Sequence, residues 1–473
     1  MGLEKPGYHY DEALLARGAV HMLNSPGEPA FAHDRWSWVQ IGGRYFPIMV
    51  LPYAGPIKDY LLLVPFALFG PDYQIARLLA AILGAFGIWG FSVLVRDLYD
   101  ETTAAWTSLI LAVHPAYLKL TLYDHGTVTQ WMLAFGLMSV TLARYLRQPT
   151  ARTALWLGLA AGFGVWCRAN FVWLLGAALL FHHLRILARH LPAIGAGALI
   201  GSAPLLYYEV TSGGATFQFM SQAVQNSPGY ADLLQHRFYL LSHTLFSDMK
   251  HRAIWMGGDL PAWQRVLFPA VVAIACGFRR HLRLSLTLLT FLVLMFSTRL
   301  NVDEHHIVTL VPLAVLLVVV AARSAPWPAA GLALATVYFG SALWLNVAVA
   351  RGLRESGGTG HWSGALNGIT RHILGNDPPR PVRLLDWGFG NSLFVLSGGR
   401  IQGQEMFWGD RPWTQEILPG YTYLIHSNDV TEFPRIRPGF LAALSGSRFK
   451  VRRIPFSDSK GRVVAEVIEV DQP

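Results

Sequence analysis

The chain has 473 residues, of which 53% are hydrophobic and only 14% are charged. Soluble globular domains carry about 25% charged residues, so this composition excludes an ordinary soluble protein and indicates a chain that crosses a membrane several times. The net charge of +9 lies largely in short loops between apolar segments, which favours orientation in a membrane over nucleic-acid binding. Both cysteines, Cys167 and Cys276, lie inside apolar segments, so no disulfide framework is expected.

The polar region 1–56 contains an adjacent pair of acids, Asp11 and Glu12, in GYHYDEALLARGA. The next segment, IKDYLLLVPFALFG, is apolar but too short to cross a bilayer. We predict that it forms a helix in the outer interface, with Lys58 at its polar end. After it, the apolar segments predict about ten membrane spans, near 75–95, 104–122, 127–145, 154–167, 169–187, 191–208, 264–278, 284–298, 306–323 and 328–350.

Basic residues mark three of the connecting loops, which the positive-inside rule places in the cytoplasm: Arg144, Arg147 and Arg152; Arg185 and Arg189; and Arg279, Arg280 and Arg283. The alternate turns then lie outside, together with the N-terminal region and everything after Arg351. We therefore predict a membrane-embedded domain over 1–350, with outer loops at 1–74 and 209–262, and an extracytoplasmic domain over 351–473.

From about Pro378 the composition changes to that of a small α/β domain. The segments VRLLDW, YTYLIHS, FKVRRIPF and VVAEVIEV are rich in β-branched and aromatic residues, which predicts strands. SDSKGR predicts a hairpin loop between the last two strands, and NSLFVLSGG and PGFLAALSGS predict short helices. The run DWGFG follows a strand, but a lone GxG is weak evidence for a nucleotide site. We predict a structural or capping role for its Asp386.

Ionisable residues collect on the predicted outer face, as the polarity of loops alone would produce. Asp124 is different, because it lies in the seam YLKLTLYDHGTVTQW between two apolar segments, and an ionisable group at membrane depth indicates function. The run Asp303–His306 offers metal-ligand types, but four adjacent residues cannot all point at one ion. We therefore expect this run to form a loop that caps a helix. The functional alternative is that the loop borders a bound phosphate.

In this order the features resemble the class C glycosyltransferases that use polyprenol-phosphate sugars. The resemblance covers about residues 7–320, and the nearest look-alikes are the protein O-mannosyltransferases and the bacterial lipid A aminoarabinose transferases. It rests on the acidic pair, the Lys-bearing GPIKDYLLLVPFALFGPDYQIARLLAAILG, the outer Asp124, the basic residue of GFGVWCRANFVWLL and a long outer loop.

The chain departs from the family pattern in two places. The interfacial helix of the family begins Lys-Pro-Pro-Leu, whereas GPIKDY stands here. The family also has a membrane helix before the acidic pair, so either the start lies further upstream or that helix is missing, and the outer position of residue 1 agrees with a missing helix.

The resemblance implies an α-helical polytopic membrane protein with about ten transmembrane helices, interfacial helices and a small C-terminal α/β extracytoplasmic domain. Carried over by residue, Asp11 matches the family's catalytic acid and Glu12 its neighbour, while Lys58, Asp124 and Arg168 match positions that hold the lipid phosphate or shape the cavity. The predicted site therefore has two sets of residues. The catalytic set is Asp11, Glu12 and Asp124, and the set binding the donor phosphate is Lys58, Arg168, Arg299, His305 and His306.

The implied reaction is inverting transfer of a hexose or pentose from a polyprenol-phosphate donor to a lipid, glycan or protein acceptor. It would take place at the periplasmic face of a bacterial inner membrane, with no nucleic-acid partner. No metal site is assigned, although a divalent cation stays open. Two other functions stay open. A transporter or lipid flippase should place ionisable groups near the bilayer midplane in repeated halves, and a non-catalytic membrane assembly protein predicts that Asp11 and Asp124 do not converge.

Overall fold

The computed structural model describes most of the chain: residues 3–24, 27–29, 35–181, 184–244, 270–275, 281–300, 302–324, 328–376, 378–409 and 411–473. Most of the predicted span 264–278 lies outside the described residues. So do several polar residues of the predicted outer loop, namely Asp248, Lys250, His251, Arg252 and Asp259.

Helices dominate the first three quarters of the chain. In chain order they are α1 (Tyr10–Leu14), α2 (Arg17–Asn24), α3 (Ile57–Phe69), α4 (Tyr73–Leu98), α5 (Glu101–Val113), α6 (Pro115–Leu122), α7 (Val128–Arg147), α8 (Ala151–Cys167), α9 (Phe171–Phe181), α10 (Leu184–Arg189), α11 (Leu191–Gly201), α12 (Ala203–Ser212), α13 (Ala215–Gln225), α14 (Tyr230–Thr244), α15 (Leu282–Ser297), α16 (Glu304–Ile307), α17 (Val311–Arg323) and α18 (Pro328–Ser356). A hairpin of β1 (Trp38–Ile41) and β2 (Arg44–Pro47) turns at Gly42 and Gly43, which both have positive φ.

Several of these helices are long and apolar enough to cross a membrane. Within the described ranges there are four, Tyr73–Leu98, His125–Arg147, Glu304–Arg323 and Gly331–Ser356. The pair α11 and α12, bent by 63°, would make a fifth if it is one broken span. The chain is therefore a helical, multi-pass membrane protein, and the full number of ten spans stays a prediction.

Two predicted spans are each divided into two helices, and in both cases a proline lies in the first turn of the second helix. The segment 104–122 divides at His114, whose extended backbone ends α5 and whose side chain caps α6 just before Pro115. The segment 191–208 divides at Ser202, two residues before Pro204. Proline lacks the N–H that would continue the preceding helix, and it is tolerated in the first turn of the next one.

The predicted outer loop 209–262 is helical as far as it is described. In α14, Leu233, Arg237 and Leu240 are buried at i, i+4 and i+7, which is the spacing of one helix face. The Arg237 guanidinium donates to the carbonyl oxygens of Phe296 and Leu300 at 2.6 and 2.5 Å. The helix is therefore held against the end of α15 instead of forming a free loop.

The C-terminal region contains the predicted sheet. Its described elements are α19 (Ala365–Leu374), β3 (Val382–Leu384), α20 (Gly390–Leu396), β4 (Gly403–Glu405), α21 (Trp413–Glu416), β5 (Thr422–His426), α22 (Ile436–Ser445), β6 (Lys450–Ser457) and β7 (Val463–Asp471). The strand order is β4-β3-β5-β7-β6, with β3 parallel to both β4 and β5 and the β6–β7 hairpin antiparallel.

Alternate side chains of β5 enter the two faces of this sheet, as strand geometry requires. Leu424 packs with Ile369 of α19 and Leu393 of α20 on one face. On the other face, Tyr423 packs with Phe440 of α22. The predicted strands and both predicted helices are confirmed, whereas β4, α19 and α21 were not predicted.

The orientation of the chain in the membrane stays a prediction, and single cysteines test it. We expect Asn226→Cys, at an exposed position of the predicted outer loop 209–262, to react with an impermeant thiol reagent from the outer face and Arg147→Cys from the cytoplasmic face only, because arginine-rich loops stay in the cytoplasm. Arg147 lies beside Asp97 at the far end of α7. Labelling of both positions from the same side would contradict the predicted topology.

A candidate active site at Asp11

Helix α1 begins immediately before the acidic pair and points Asp11 away from the core. His9 caps the helix, its Nδ1 accepting a hydrogen bond from the Asp11 backbone N–H at 3.2 Å. The Asp11 side chain is 34% exposed, and its Oδ2 lies 3.9 Å from His9 Nδ1 and 3.8 Å from His125 Nδ1. The carboxylate is therefore accessible and is flanked by two imidazoles.

The ring of His9 is fixed by the C-terminal region. It stacks on Trp362 with ring centroids 4.1 Å apart and nearly parallel planes, and the Gly7 N–H donates to the Trp362 carbonyl oxygen at 2.7 Å. Residues more than 350 positions apart in sequence thus build the surroundings of Asp11 together.

Glu12 points the other way, into the protein. Its two carboxylate oxygens accept from Nε and Nη2 of Arg77 at 2.7 and 2.8 Å, and both side chains are buried. The remaining N–H groups of Arg77 donate to the carbonyl oxygens of Leu3, Pro6 and Gly7. The second acid therefore belongs to an anchor that fixes the N-terminal segment on α4, and it does not face the space beside Asp11.

Asp124 lies in a strained turn between α6 and α7. Asp124, Gly126 and Thr127 all have positive φ, which is uncommon for residues with a side chain. The turn lets the Asp124 carboxylate accept from the Thr129 N–H at 2.8 Å and pair with Lys58 Nζ at 2.8 Å. A side chain at Gly126 would collide with the His305 ring. Strain of this kind persists only where the surroundings impose it, and it is concentrated at functional sites.

Lys58 and Asp124 are both almost completely buried. The sequence predicts Lys58 as a ligand of the donor phosphate and Asp124 as catalytic, whereas the structure pairs them with each other. This pair joins α3 to the turn that carries His125. It therefore fixes the position of the His125 imidazole relative to Asp11.

Arg168 is buried in the turn after α8. Its Nη1 donates to the His305 carbonyl oxygen at 3.3 Å, and its Nη2 lies 3.1 Å from Nε2 of His306. Among the described residues no carboxylate forms an ion pair with it, and its Nε has no hydrogen-bond partner. Burial lowers the pKa of Arg168 to about 10, so the guanidinium stays charged at neutral pH.

A chain of side chains links Arg168 to Asp11. His305 packs against His306 and His125, with ring centroids 4.1 and 5.4 Å apart. Burial raises the pKa of the nearby Tyr53, and the charges of Arg168 and Asp11 act on this pKa in opposite directions. The structure thus brings together Asp11, Asp124, Lys58, Arg168, His305 and His306.

Arg299 is the predicted site residue that the structure does not bring into this cluster. It is exposed beyond the end of α15, and no ion pair or hydrogen bond joins it to the other predicted residues in the described ranges. Its position follows from Thr298, where an extended backbone ends the helix.

Several residues of the site were not singled out from the sequence. His9, Tyr53 and Arg77 carry no signal of their own in the sequence. Trp362 lies in a stretch between predicted elements, far from Asp11 in sequence. His125 was recognised only as one of many polar residues on the outer face.

Three ligand atoms converge at Asp11. His9 Nδ1, an Asp11 carboxylate oxygen and His125 Nδ1 all lie within 4.8 Å of one another. Imidazole nitrogens with a carboxylate oxygen form a donor set that suits zinc or another transition metal. The donor types therefore suit a divalent ion, but His9 Nδ1 already accepts the Asp11 N–H, and a metal at that nitrogen would have to replace this hydrogen bond.

An apolar cavity of about 330 Å³ lies deeper in the helical bundle. Phe135, Leu174 and Ile194 are among its lining side chains. Leu174 lies on α9, which begins three residues after Arg168.

The structure is similar over almost its whole length to ArnT from Cupriavidus metallidurans. The apo crystal structure gives a TM-score of 0.61 at 16% identity, covering 98% of this chain and 94% of ArnT. The structure of the same protein bound to undecaprenyl phosphate gives 0.60 at 18% identity, covering 97% and 93%. The chain has the class C glycosyltransferase fold.

The sequence comparisons agree with this assignment. The family model for dolichyl-phosphate-mannose-protein mannosyltransferases matches residues 53–208, which include Lys58, Asp124 and Arg168. No curated protein matches the chain. The resemblance to the class C glycosyltransferase superfamily is thereby confirmed.

Proposed function

We propose that the chain is a glycosyltransferase that transfers a sugar from a polyprenol-phosphate donor to an acceptor hydroxyl on the outer face of a bacterial inner membrane. The fold and the mannosyltransferase family match support the general class, and ArnT has been crystallised with undecaprenyl phosphate. The observation that carries the proposal for this chain is Arg168, a buried cation that forms no ion pair with a described carboxylate and whose Nε has no hydrogen-bond partner there.

A buried charge without a counter-ion is costly, so such residues are normally paired or bind an oppositely charged ligand. The guanidinium of Arg168 has an unused N–H at Nε and would meet the donor phosphate with a directed hydrogen bond. His306 holds the other end of the guanidinium in place. Arg168 would thus bind the donor and stabilise the charge that develops on the departing phosphate.

In the proposed reaction, the oxygen of the acceptor hydroxyl forms a bond to the anomeric carbon of the donor sugar. The bond from that carbon to the phosphate oxygen breaks, and the polyprenol phosphate leaves with the electron pair. Asp11 takes the hydroxyl proton as general base, for which its accessible carboxylate suits it. A single displacement of this kind inverts the anomeric configuration.

The remaining predicted residues take positioning roles in this proposal. Lys58 and Asp124 hold the turn that bears His125, and Glu12 holds the helix that bears Asp11. The polyprenyl tail would lie among the apolar side chains of the helical bundle, where it is removed from water and from the polar site.

The proposal is tested with the purified full chain and a panel of polyprenol-phosphate sugars. We expect one donor to be consumed and its polyprenol phosphate released. We expect Arg168→Met to raise the donor KM about 10- to 100-fold, because a hydrogen bond to a charged group is worth roughly 1.5–3 kcal/mol. Arg299→Met should leave the donor KM unchanged, since Arg299 is exposed and outside the cluster. An unaltered KM in Arg168→Met would refute the assignment of the phosphate site.

The three ligand atoms at Asp11 call for a separate measurement. The proposed chemistry needs only a base and a cation at the phosphate, so we expect transfer to be unchanged after dialysis against EDTA. A loss of activity that Zn²⁺ or Mn²⁺ restores would instead assign His9, Asp11 and His125 as metal ligands. The primary role of Asp11 would then be metal binding and not proton abstraction.

A further inference from the structure

The first turn of α1 and the edge of the C-terminal sheet form a second surface beside Asp11. The phenol of Tyr10, the residue before Asp11, donates to Glu405 Oε1 at 3.1 Å. The other oxygen, Oε2, accepts from the indole N–H of Trp408 at 2.8 Å. The Tyr10 ring packs on Trp387 with centroids 4.7 Å apart. Three aromatic rings and a carboxylate are thus fixed next to the candidate base.

These aromatic rings are rigidly supported and at least partly accessible. Trp408 is 59% exposed, yet Phe407 and Phe433 pack against it at 4.9 and 5.6 Å. Trp387 is half-buried and also contacts His361, at 5.3 Å. An exposed tryptophan that is held in one orientation presents a flat apolar face at low entropic cost, which is a frequent feature of binding surfaces.

Planar polar side chains complete the surface. Arg17 of α2 donates to the side-chain oxygen of Asn391, and the Asn391 amide donates to the Tyr10 carbonyl oxygen at 3.3 Å. Each Glu405 oxygen accepts one hydrogen bond, and a carboxylate oxygen can accept two. Glu405 therefore keeps acceptor capacity for a ligand hydroxyl.

We propose that this surface, formed by Tyr10, Trp387, Glu405 and Trp408, binds the acceptor, and that the acceptor is an uncharged sugar of a glycan. The C–H face of a pyranose packs on aromatic rings, whose faces carry partial negative charge, while its hydroxyls hydrogen-bond to carboxylate and amide groups. The inference rests on the proposed transferase function and adds the class of acceptor to it.

The charges of the surface favour a neutral sugar over a phosphate-bearing acceptor. Arg17 is its cation, but Glu405 lies near enough to affect the pKa of Arg17, and Asp11 is the next residue to Tyr10. An anionic acceptor would meet both carboxylates, and juxtaposed like charges oppose binding. A hydroxyl of a sugar bound here would be adjacent to Asp11, which would take its proton as the glycosidic bond forms.

The test measures sugar binding without donor. Saturation-transfer NMR is recorded on the detergent-purified full chain with methyl α-mannopyranoside, methyl β-glucopyranoside and methyl β-galactopyranoside as probes. We expect at least one probe to bind, and we expect Trp408→Ala and Glu405→Gln to weaken that binding about tenfold or more. Trp36→Ala and Glu355→Gln are the matched controls and should bind as the wild type does, because both residues are exposed elsewhere.

Trp387→Phe provides a second variant, which keeps an aromatic ring in the packed position and should also weaken binding. If no probe binds to the wild type, or if the Trp408 and Glu405 variants bind as tightly as the controls, the acceptor surface is wrong. Donor consumption is measured in the same samples. Consumption without sugar binding would leave the proposed function standing and overturn this inference, whereas sugar binding without consumption of any donor would refute the proposed function alone.

Discussion

Replacing Asp11 with asparagine is expected to lower the rate of sugar transfer about 100- to 10,000-fold, because a positioned general base contributes a factor of that size. The change should leave the fold intact, since the Asp11 side chain is partly exposed and its main-chain N–H makes the contact to His9. Turnover of the purified variant is measured beside its thermal unfolding. A variant that keeps more than about a tenth of wild-type turnover would not fit a catalytic Asp11.

Asp72→Asn is the matched control for this substitution. Asp72 caps α4 by accepting from the Gln74 N–H at 2.7 Å, and it also belongs to the predicted outer side. Asparagine caps helices about as well as aspartate, so this variant should transfer sugar at the wild-type rate. Were Asp11 merely a favourable acid in the first turn of α1, its loss would cost only about 0.3–1 kcal/mol and both variants would remain active.

Replacing Arg77 with methionine is expected to destabilise the protein by about 3–5 kcal/mol, the usual cost of leaving one partner of a buried ion pair unpaired. The substitution would strand the Glu12 carboxylate and release three backbone carbonyl groups from the guanidinium. The free energy of unfolding is measured by chemical denaturation in detergent. Arg323→Met removes an ion pair to Asp100 that is exposed on both sides, so it should destabilise the protein far less than Arg77→Met does.

A double-mutant cycle separates the ion pair from the packing of the Arg77 side chain. If the pair is the dominant interaction, adding Glu12→Gln to Arg77→Met should recover part of the lost stability, because the glutamine no longer brings a charge into the protein. Transfer should remain low in the double variant, since the segment before Asp11 stays unanchored. Strictly additive losses would contradict the proposed anchor.

The sequence is informative where a residue's own surroundings determine its role. The 100° separation of neighbouring helix residues predicts that Asp11 and Glu12 differ in function, and the structure places one beside the solvent and the other on Arg77. The seam position of Asp124 likewise indicated a functional turn. In the C-terminal region, the enrichment in β-branched and aromatic residues predicts the strands, and SDSKGR predicts the hairpin between β6 and β7.

The sequence does not predict the role of a residue when the partner that determines this role lies far away in the chain. Arg77 meets Glu12 across 65 positions, and nothing near Arg77 distinguishes it from a charge that orients a helix. The surroundings of Lys58 could not be anticipated either, because its pairing with Asp124 depends on a backbone with positive φ in three of four consecutive residues. Pro115 and Pro204 are local signals for the two helix breaks, but each lies in an apolar run long enough to be interpreted as one span. Gly42 and Gly43 are a local signal for the turn of the β1–β2 hairpin.

The stacking of His9 on Trp362 has a consequence for biosynthesis. The N-terminal segment leaves the ribosome first, but the indole on which His9 rests is translated only after α18 has been made. A nascent chain that ends at Ser356 would already contain Asp11, Lys58, Asp124 and Arg168, yet it would lack the surface that fixes His9 and Gly7. The surroundings of Asp11 are therefore completed late, when the last quarter of the polypeptide folds back onto its beginning.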